Sequence, residues 1–545
     1  MASTRGKFET RSPENEKTKK YDRQLRLWGD HGQSFLENAR VCLINATATG
    51  TEILKGLVLP GIGAFTIVDG NNVTGEDVGR NFFLLKHSIG SNRGSAACQQ
   101  LLELNPHVRG DYIDESCETL LATNPSYFTT FSVVIATGMP ESTVLQLSKL
   151  LHVANVPLLL CKSFGQIGYI RLQTPEHTII ESHPDDGFDD LRLTDPFPGL
   201  RKHVDSIDLE SLSRAEHAHV PYIVILLKAL DRWREKHGPT SLPTYSEKKD
   251  FESIIESLKF KHHEGDDTPH VEPLNFEEAI KARARTLRKT EIPDNVKKLF
   301  EDKECENLNP KSKPFWIMVR ALRDFVAVNG TLPLRGSIPD MTSDSDSYVR
   351  LAGVYKTEAD KHCEDICNRV NEILTALGKP LDIVCEPEIH ILCRNSHTLD
   401  VLRTRPIFEE YERPKSNLIT DSLRNNYQPE EPEIVYYVLL RAVDKFFESF
   451  KRYPGCLTHL METDISKLKS IYSKLVQEWG IGPFPKDDLI HEMCRFGASE
   501  LHTIASVVGG CAAQEVIKVV THQYVPINNT FIFNGILCTS TTFDL

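Results

Sequence analysis

No run of 18 apolar residues occurs in this chain, so no segment of it reads as a membrane-spanning helix. Met1 to Lys20 is polar and charged and lacks the apolar core of a secretory leader. An excess of positive charge is missing too. The 63 Lys and Arg residues fall short of the 76 Asp and Glu, and a formal net charge of −13 argues against nucleic acid or an anionic membrane as a main partner. The 13 cysteines are odd in number and have no paired framework, which excludes a disulfide scaffold. Cys363-x3-Cys367 comes nearest to a metal-ligand spacing, but it lies in a charged helical stretch without a second pair. His217-Ala-His219 likewise has no third ligand nearby in sequence. Reduced thiols, and hence a cytoplasmic and nuclear setting, are expected. What is present is ordinary: 40% apolar and 26% charged residues, in a length of 545 that suggests three or four domain-sized units.

The absence with most consequence is glycine in one loop. Arg40-Val-Cys-Leu-Ile44 reads as a buried strand, Thr51 to Leu59 as a helix, and Ala64-Phe-Thr-Ile-Val68 as a second strand ending in Asp69. A dinucleotide fingerprint would place G-x-G-x-x-G between that strand and helix, with an acid about 20 residues further on to hold the ribose. Asp69 stands 19 residues after Gly50, which fits the third glycine. The first glycine is Asn45 and the second is Thr47. A β-branched residue is stiff and disfavours positive φ, so a phosphate cradle here is expected to be obstructed.

Strand signals at 40–45, 64–68, 131–136 and 156–161 alternate with helices, the pattern of a doubly wound α/β domain. From about 175 to 485 long amphipathic helices take over, and the last 60 residues return to the α/β style with a helix over His502–His522 and a strand at Thr530–Phe533. Within the helical region Lys228–Trp233, Arg320–Phe325 and Arg441–Phe446 share a basic–Ala–aliphatic–x–x–aromatic pattern, each followed by Pro243, Pro333 or Pro454. The spacing suits a helix C-terminus that packs an aromatic before a turn; internal duplication is the other reading.

Three stretches carry a family resemblance: Tyr21-Asp-Arg-Gln-Leu-Arg-Leu-Trp-Gly29, Gly61-Ile-Gly63 and Ala512-Ala-Gln-Glu-Val-Ile-Lys518. The chain resembles the ThiF-type, Rossmann-like adenylation domains of ubiquitin-activating enzymes, specifically the non-catalytic subunits of two-chain enzymes. Arg335-Gly-Ser-Ile-Pro-Asp-Met341, Tyr348-x-x-Leu351 and Glu492-Met-Cys-Arg-Phe-Gly497 narrow the resemblance to the regulatory subunits of Nedd-activating enzymes, over residues 18 to 545. It implies a flexible N-terminus (1–17), a pseudo-adenylation domain in two parts (18–174 and 486–545), and a helical insertion (175–485) like a catalytic-cysteine half-domain without the cysteine.

Departures from active relatives sharpen what the resemblance implies. Their N-x-x-D-N-x-x-A-R motif becomes Ala136-Thr-Gly-Met139-Pro-Glu-Ser-Thr143, which puts Met139 about where a magnesium-binding Asp belongs. A thioether is a poor ligand for that hard cation. I-G-K-x-K becomes Ile89-Gly-Ser91-Asn-Arg93, with one cation lost. Asn45, Thr47, Gly50, Asp69 and Met139 therefore mark a degenerate nucleotide site, and no catalytic residue, metal or bound cofactor is expected in this chain. The thioester context P-x-C-T has one near match, Pro454-Gly-Cys456-Leu-Thr458, which reads better as a turn. Arg23 is the positive expectation, since it would reach in trans to the phosphates of ATP held with Mg by the partner. Implied partners are the catalytic subunit, a Nedd-type modifier and the conjugating enzyme. Arg335, Ile338, Pro339, Asp340, Met341, Thr342, Ser343 and Tyr348 are the expected interface patch. The alternative is a self-sufficient nucleotide enzyme, either adenylating or a Rossmann oxidoreductase, for which Asp69 speaks.

Overall fold

Apolar residues fill all but the first position of β1 (Arg40–Ile44) and bury β2 (Ala64–Val68) and β4 (Val133–Thr137) nearly end to end. Such strands need cover on both faces, which is what parallel pairing with crossover helices provides. In the computed structural model, which describes residues 13–184, 190–260, 274–424, 432–481 and 487–545, these strands lie side by side inside an eight-stranded sheet. The parallel half runs β3 (Arg109–Ile113), β2, β1, β4, β5 (Leu158–Phe164). Antiparallel pairing then adds β6 (Ile167–Gln173), β9 (Thr530–Asn534) and β10 (Thr539–Phe543). Two short strands, β7 (His177–Ile179) and β8 (Asp400–Leu402), pair separately. The order 3-2-1-4-5 reverses between β1 and β4, and ligands of open α/β sheets bind beyond the strand C-termini at such a reversal.

The helices Ala48–Val58 and His502–Thr521 pack closely on one face of the sheet. Glycine makes the approach possible: a Cβ on Gly509 would lie 2.6 Å from the Glu52 Cβ. Segments far apart in sequence thus share one core.

The chain divides into two compact units. Ile180–Asp400 forms one, and the flanking chain, up to Ile179 and from Val401 on, forms the other. The return to the α/β unit expected near 486 therefore comes at Val401. The helices Ile434–Phe450 and Met461–Glu478 bury Tyr437, Phe446 and Leu468 in the same cluster as Ile44 and Val134 of the sheet. Ile180–Asp400 has its own core around Trp233, Phe251, Phe276 and Tyr355.

All three copies of the basic–Ala–aliphatic pattern sit on helices and bury their aromatic: Trp233, Phe325 and Phe446. Two of those helices stop at a left-handed residue, Gly330 at φ +73° and Lys451 at φ +54°. The third copy belongs to a different unit from the first two.

Candidate functional site

The turn after β1 opens on Asn45, left-handed at φ +65°. Asparagine tolerates that region, so it takes over the first glycine's conformation. Its Nδ2 donates to the Thr137 carbonyl at 2.9 Å and ties the turn to the end of β4. Thr47 is extended at φ −69°, ψ 169° and caps the helix Ala48–Val58, its hydroxyl accepting from Gly50 N at 3.2 Å. The expectation that Thr47 obstructs through a positive φ is thus corrected: the backbone of Thr47 is unstrained. Its methyl would stand 3.2 Å from a Cβ on Gly138. Gly50 behaves as expected of a third glycine, because a Cβ there would lie 2.9 Å from the Asn45 carbonyl oxygen.

Asp69 is fully buried and fully engaged. Its Oδ2 accepts from Ala46 N at 2.8 Å and Arg93 Nε at 2.7 Å, and its Oδ1 from Asn71 N at 2.9 Å and Arg93 Nη2 at 3.3 Å. A carboxylate has about four acceptor sites, so none is left for a ribose hydroxyl. Burial alone would lower the Arg93 pKa, but Asp69 and then Asp77 more than offset it and keep the guanidinium charged. Met139 turns away from the cleft and is 3% exposed, in the apolar cluster with Val144 and Leu147.

A cavity of about 430 Å³ remains over these loops, lined by Asn45, Thr47, Arg93, Lys162, Asp444 and Glu500 among others. Glu500 was not foreseen. Its Oε2 accepts from Ala48 N at 3.1 Å and its Oε1 from Thr49 Oγ1 at 2.8 Å. Lys162, also unforeseen, donates to Asp444 Oδ2 at 2.6 Å. Asp444 belongs to a buried network in which Arg441 reaches it at 3.0 Å and Glu141 at 2.9 Å, while Lys445 donates to Glu141 at 2.7 Å. Arg441 and Asp444 are three residues apart on one helix, but Lys162 and Glu141 lie hundreds of residues from their partners, and no local spacing announces them.

The helix Pro13–Asn38 carries the remaining expected contact residue. Tyr21 and Trp28 face inward, with Asn105 Nδ2 donating to the Tyr21 hydroxyl at 3.0 Å. Arg23 faces outward; its side chain is 84% exposed and 3.6 Å from Asp22. Cys456 is exposed beside Gly455, where a Cβ would come within 1.8 Å of the Cys494 carbonyl oxygen, so Pro454-Gly455 is a packed turn. Arg452, the cation nearest in sequence, holds Asp464 through both Nη atoms, at 2.5 and 2.6 Å, and also interacts with the Cys456 side chain. Of the expected interface patch, Ile338 and Met341 are buried in the core of their own unit. The Tyr348 hydroxyl donates to the Ile338 carbonyl at 3.3 Å and Arg335 Nε to the Arg394 carbonyl at 3.2 Å. Asp340 is exposed, Arg335, Pro339 and Thr342 partly so, and the Ser343 hydroxyl is buried.

A ThiF-family model matches residues 21–544, nearly the whole chain. Relatives agree. The NEDD8-activating enzyme E1 regulatory subunit of Xenopus laevis is 49% identical, over 97% of this chain and 99% of its own length. Those of Gallus gallus and Drosophila melanogaster are 48% and 43% identical over 97% and 98% of the chain, and 98% and 99% of theirs. The chain belongs to the NEDD8-activating enzyme E1 regulatory subunit family, within ThiF. That membership accounts for the parallel sheet. In this chain Asp69 and the amides after β1 are met by side chains of the same chain.

Proposed function

We propose that this chain is the regulatory, non-catalytic half of a heterodimeric activating enzyme. The enzyme adenylates the C-terminal glycine of a NEDD8-type modifier with ATP and passes it to a cysteine of the catalytic subunit. One observation carries this reading: the chain's own nucleotide-facing acid, Asp69, is saturated by Arg93, Ala46 and Asn71, while Arg23 stands exposed with its guanidinium turned to solvent. In this reading ATP and Mg sit in the catalytic subunit, and Arg23 supplies a permanent, forked positive charge to the phosphates from across the interface. Relatives named as regulatory subunits over essentially their full lengths support the pairing. The work would take place in the cytoplasm and nucleus, and the conjugating enzyme would be a further partner.

A self-sufficient nucleotide enzyme has Asp69 in its favour, but that carboxylate has no acceptor site to spare. The thioester step is assigned to the partner because the Pro454–Cys456 segment is a packed turn, and Arg452 beside it is held chiefly by Asp464. Cys456→Ala should therefore leave modifier charging by the heterodimer intact. A reducible modifier adduct on this chain, lost in the variant, would place the carrier here instead.

The catalytic subunit is further proposed to meet the surface formed by Arg335, Pro339, Asp340 and Thr342, with Ile338 and Met341 holding that surface from beneath. Asp340→Arg should weaken association measured by analytical ultracentrifugation. Unchanged affinity would remove this segment from the interface.

A further inference from the structure

We infer that the nucleotide cleft is shut by a ligand the chain supplies itself, the Glu500 carboxylate standing where a nucleotide phosphate would dock. The opening turn of a helix presents N–H groups without intrahelical partners, at the positive end of the helix dipole, and is a ready anion site. The helix Ala48–Val58 has 11 residues and begins directly after the degenerate phosphate loop. Both of its leading amides point at Glu500, Ala48 N at 3.1 Å and Thr49 N at 3.4 Å, and the Thr49 hydroxyl joins them at 2.8 Å. Thr49 is fully buried, and its hydroxyl, which gives its one proton to Glu500, accepts from Ser163 Oγ at 2.8 Å, so Glu500 is met by donors already fixed in place.

The segment that carries the carboxylate is held as firmly as the donors. Gly165, in the two-residue turn between β5 and β6, donates its N–H to the Ser499 carbonyl at 2.8 Å. Gly165 sits at φ +58°, and a Cβ there would come within 2.1 Å of the Phe496 ring. The turn is thus shaped around the incoming chain, and Gly165 and Glu500 form a one-residue bridge. On the ribose side Arg93 fills Asp69 in the same manner. A site that had only lost its glycines would keep unpaired donors under the cleft. Here the acid that would grip a sugar holds a cation, and the amides that would grip a phosphate hold an anion. The two plugs match in hydrogen-bonding role the two halves of the ligand they replace, a donor for the sugar hydroxyls and an anion for the phosphate.

The inference concerns this chain alone and needs neither modifier nor catalytic subunit, so its test can fail while the regulatory role stands. The full-length chain is melted in rising inorganic phosphate against chloride of matched ionic strength, as wild type, Glu500→Ala and Glu500→Gln. Glu500→Ala should melt lower than wild type and recover saturably with phosphate but not with chloride, the signature of a ligand that binds the native state. Wild type and Glu500→Gln, in which the space is filled, should show no phosphate-specific shift. If Glu500→Ala does not fold in plain buffer, its refolding yield is compared in phosphate and in chloride, and recovery in phosphate alone is the expected result. No phosphate-specific effect in the alanine variant, or the same effect in wild type or Glu500→Gln, would overturn the inference.

Discussion

Replacing Arg23 with alanine should slow modifier adenylation by the heterodimer about 10²–10³-fold, roughly 2.7–4 kcal/mol, which is what loss of one preorganised charge on a developing oxyanion typically costs. The heterodimer itself should stay assembled. Tyr21 and Trp28, on the inward face of the same helix, anchor the segment, whereas Arg23 is 84% exposed and contributes little to its own unit. Arg23→Lys should recover only part of the rate, since an ammonium keeps the charge but not the two-pronged geometry. ATP–pyrophosphate exchange by the reconstituted pair, with size-exclusion chromatography to confirm assembly, reads both effects. Wild-type exchange in the alanine variant would reduce Arg23 to a surface residue and the chain to a scaffold.

Arg441→Met should destabilise the α/β unit by about 3 kcal/mol, the low end of what breaking a buried ion pair costs. The guanidinium is 2% exposed, reaches Glu141 at 2.9 Å and Asp444 at 3.0 Å, and lies 3.3 Å from the centre of the Tyr411 ring. Methionine keeps much of the apolar volume but strands two carboxylates. Lys445 remains on Glu141 and Lys162 on Asp444, which is why the cost should not reach the upper end of the range. Burial pushes the Glu141 carboxyl up, yet Arg441 and then Lys445 pull it below its ordinary value. A carboxyl depressed in the folded state contributes stability at pH above its unfolded pKa and loses it as pH falls through the folded one. The variant should therefore lose more stability at neutral pH than in acid. Urea unfolding at both pH values tests this, and an equal loss at each would mean that packing, not charge, is what Arg441 supplies.

How much of this was legible in the sequence follows from where each signal lives. β1, β2 and β4 were readable because a strand covered on both faces must be apolar almost throughout. β3, Arg109-Gly-Asp-Tyr-Ile113, lies at the sheet edge with no residue fully buried, and it carries no such pattern. β6 is buried along its whole length yet contains Arg171, whose charge is met by Glu410 at 2.6 Å, 239 residues away. A buried arginine reads as a surface residue until its partner is known. The same limit applies to the helices after Val401: amphipathic spacing says that a helix has a core face, but not which core it joins.

The site divides along the same line. Gly50, Asp69 and Met139 stand out in the sequence because a motif specifies what each position should hold. Arg93 was recognised as a retained cation, but its grip on Asp69 was not, since the fingerprint speaks of ribose rather than of an internal competitor. Glu500 gave no signal at all, because a carboxylate 452 residues from the amide it caps looks like any other surface acid.

The central claim is that nucleotide binds only the other half of the pair, and calorimetric titration with Mg-ATP tests it most directly. The isolated chain should show no binding at millimolar nucleotide, and the assembled heterodimer should take up one ATP. Micromolar affinity in the isolated chain, or two nucleotides per heterodimer, would contradict it.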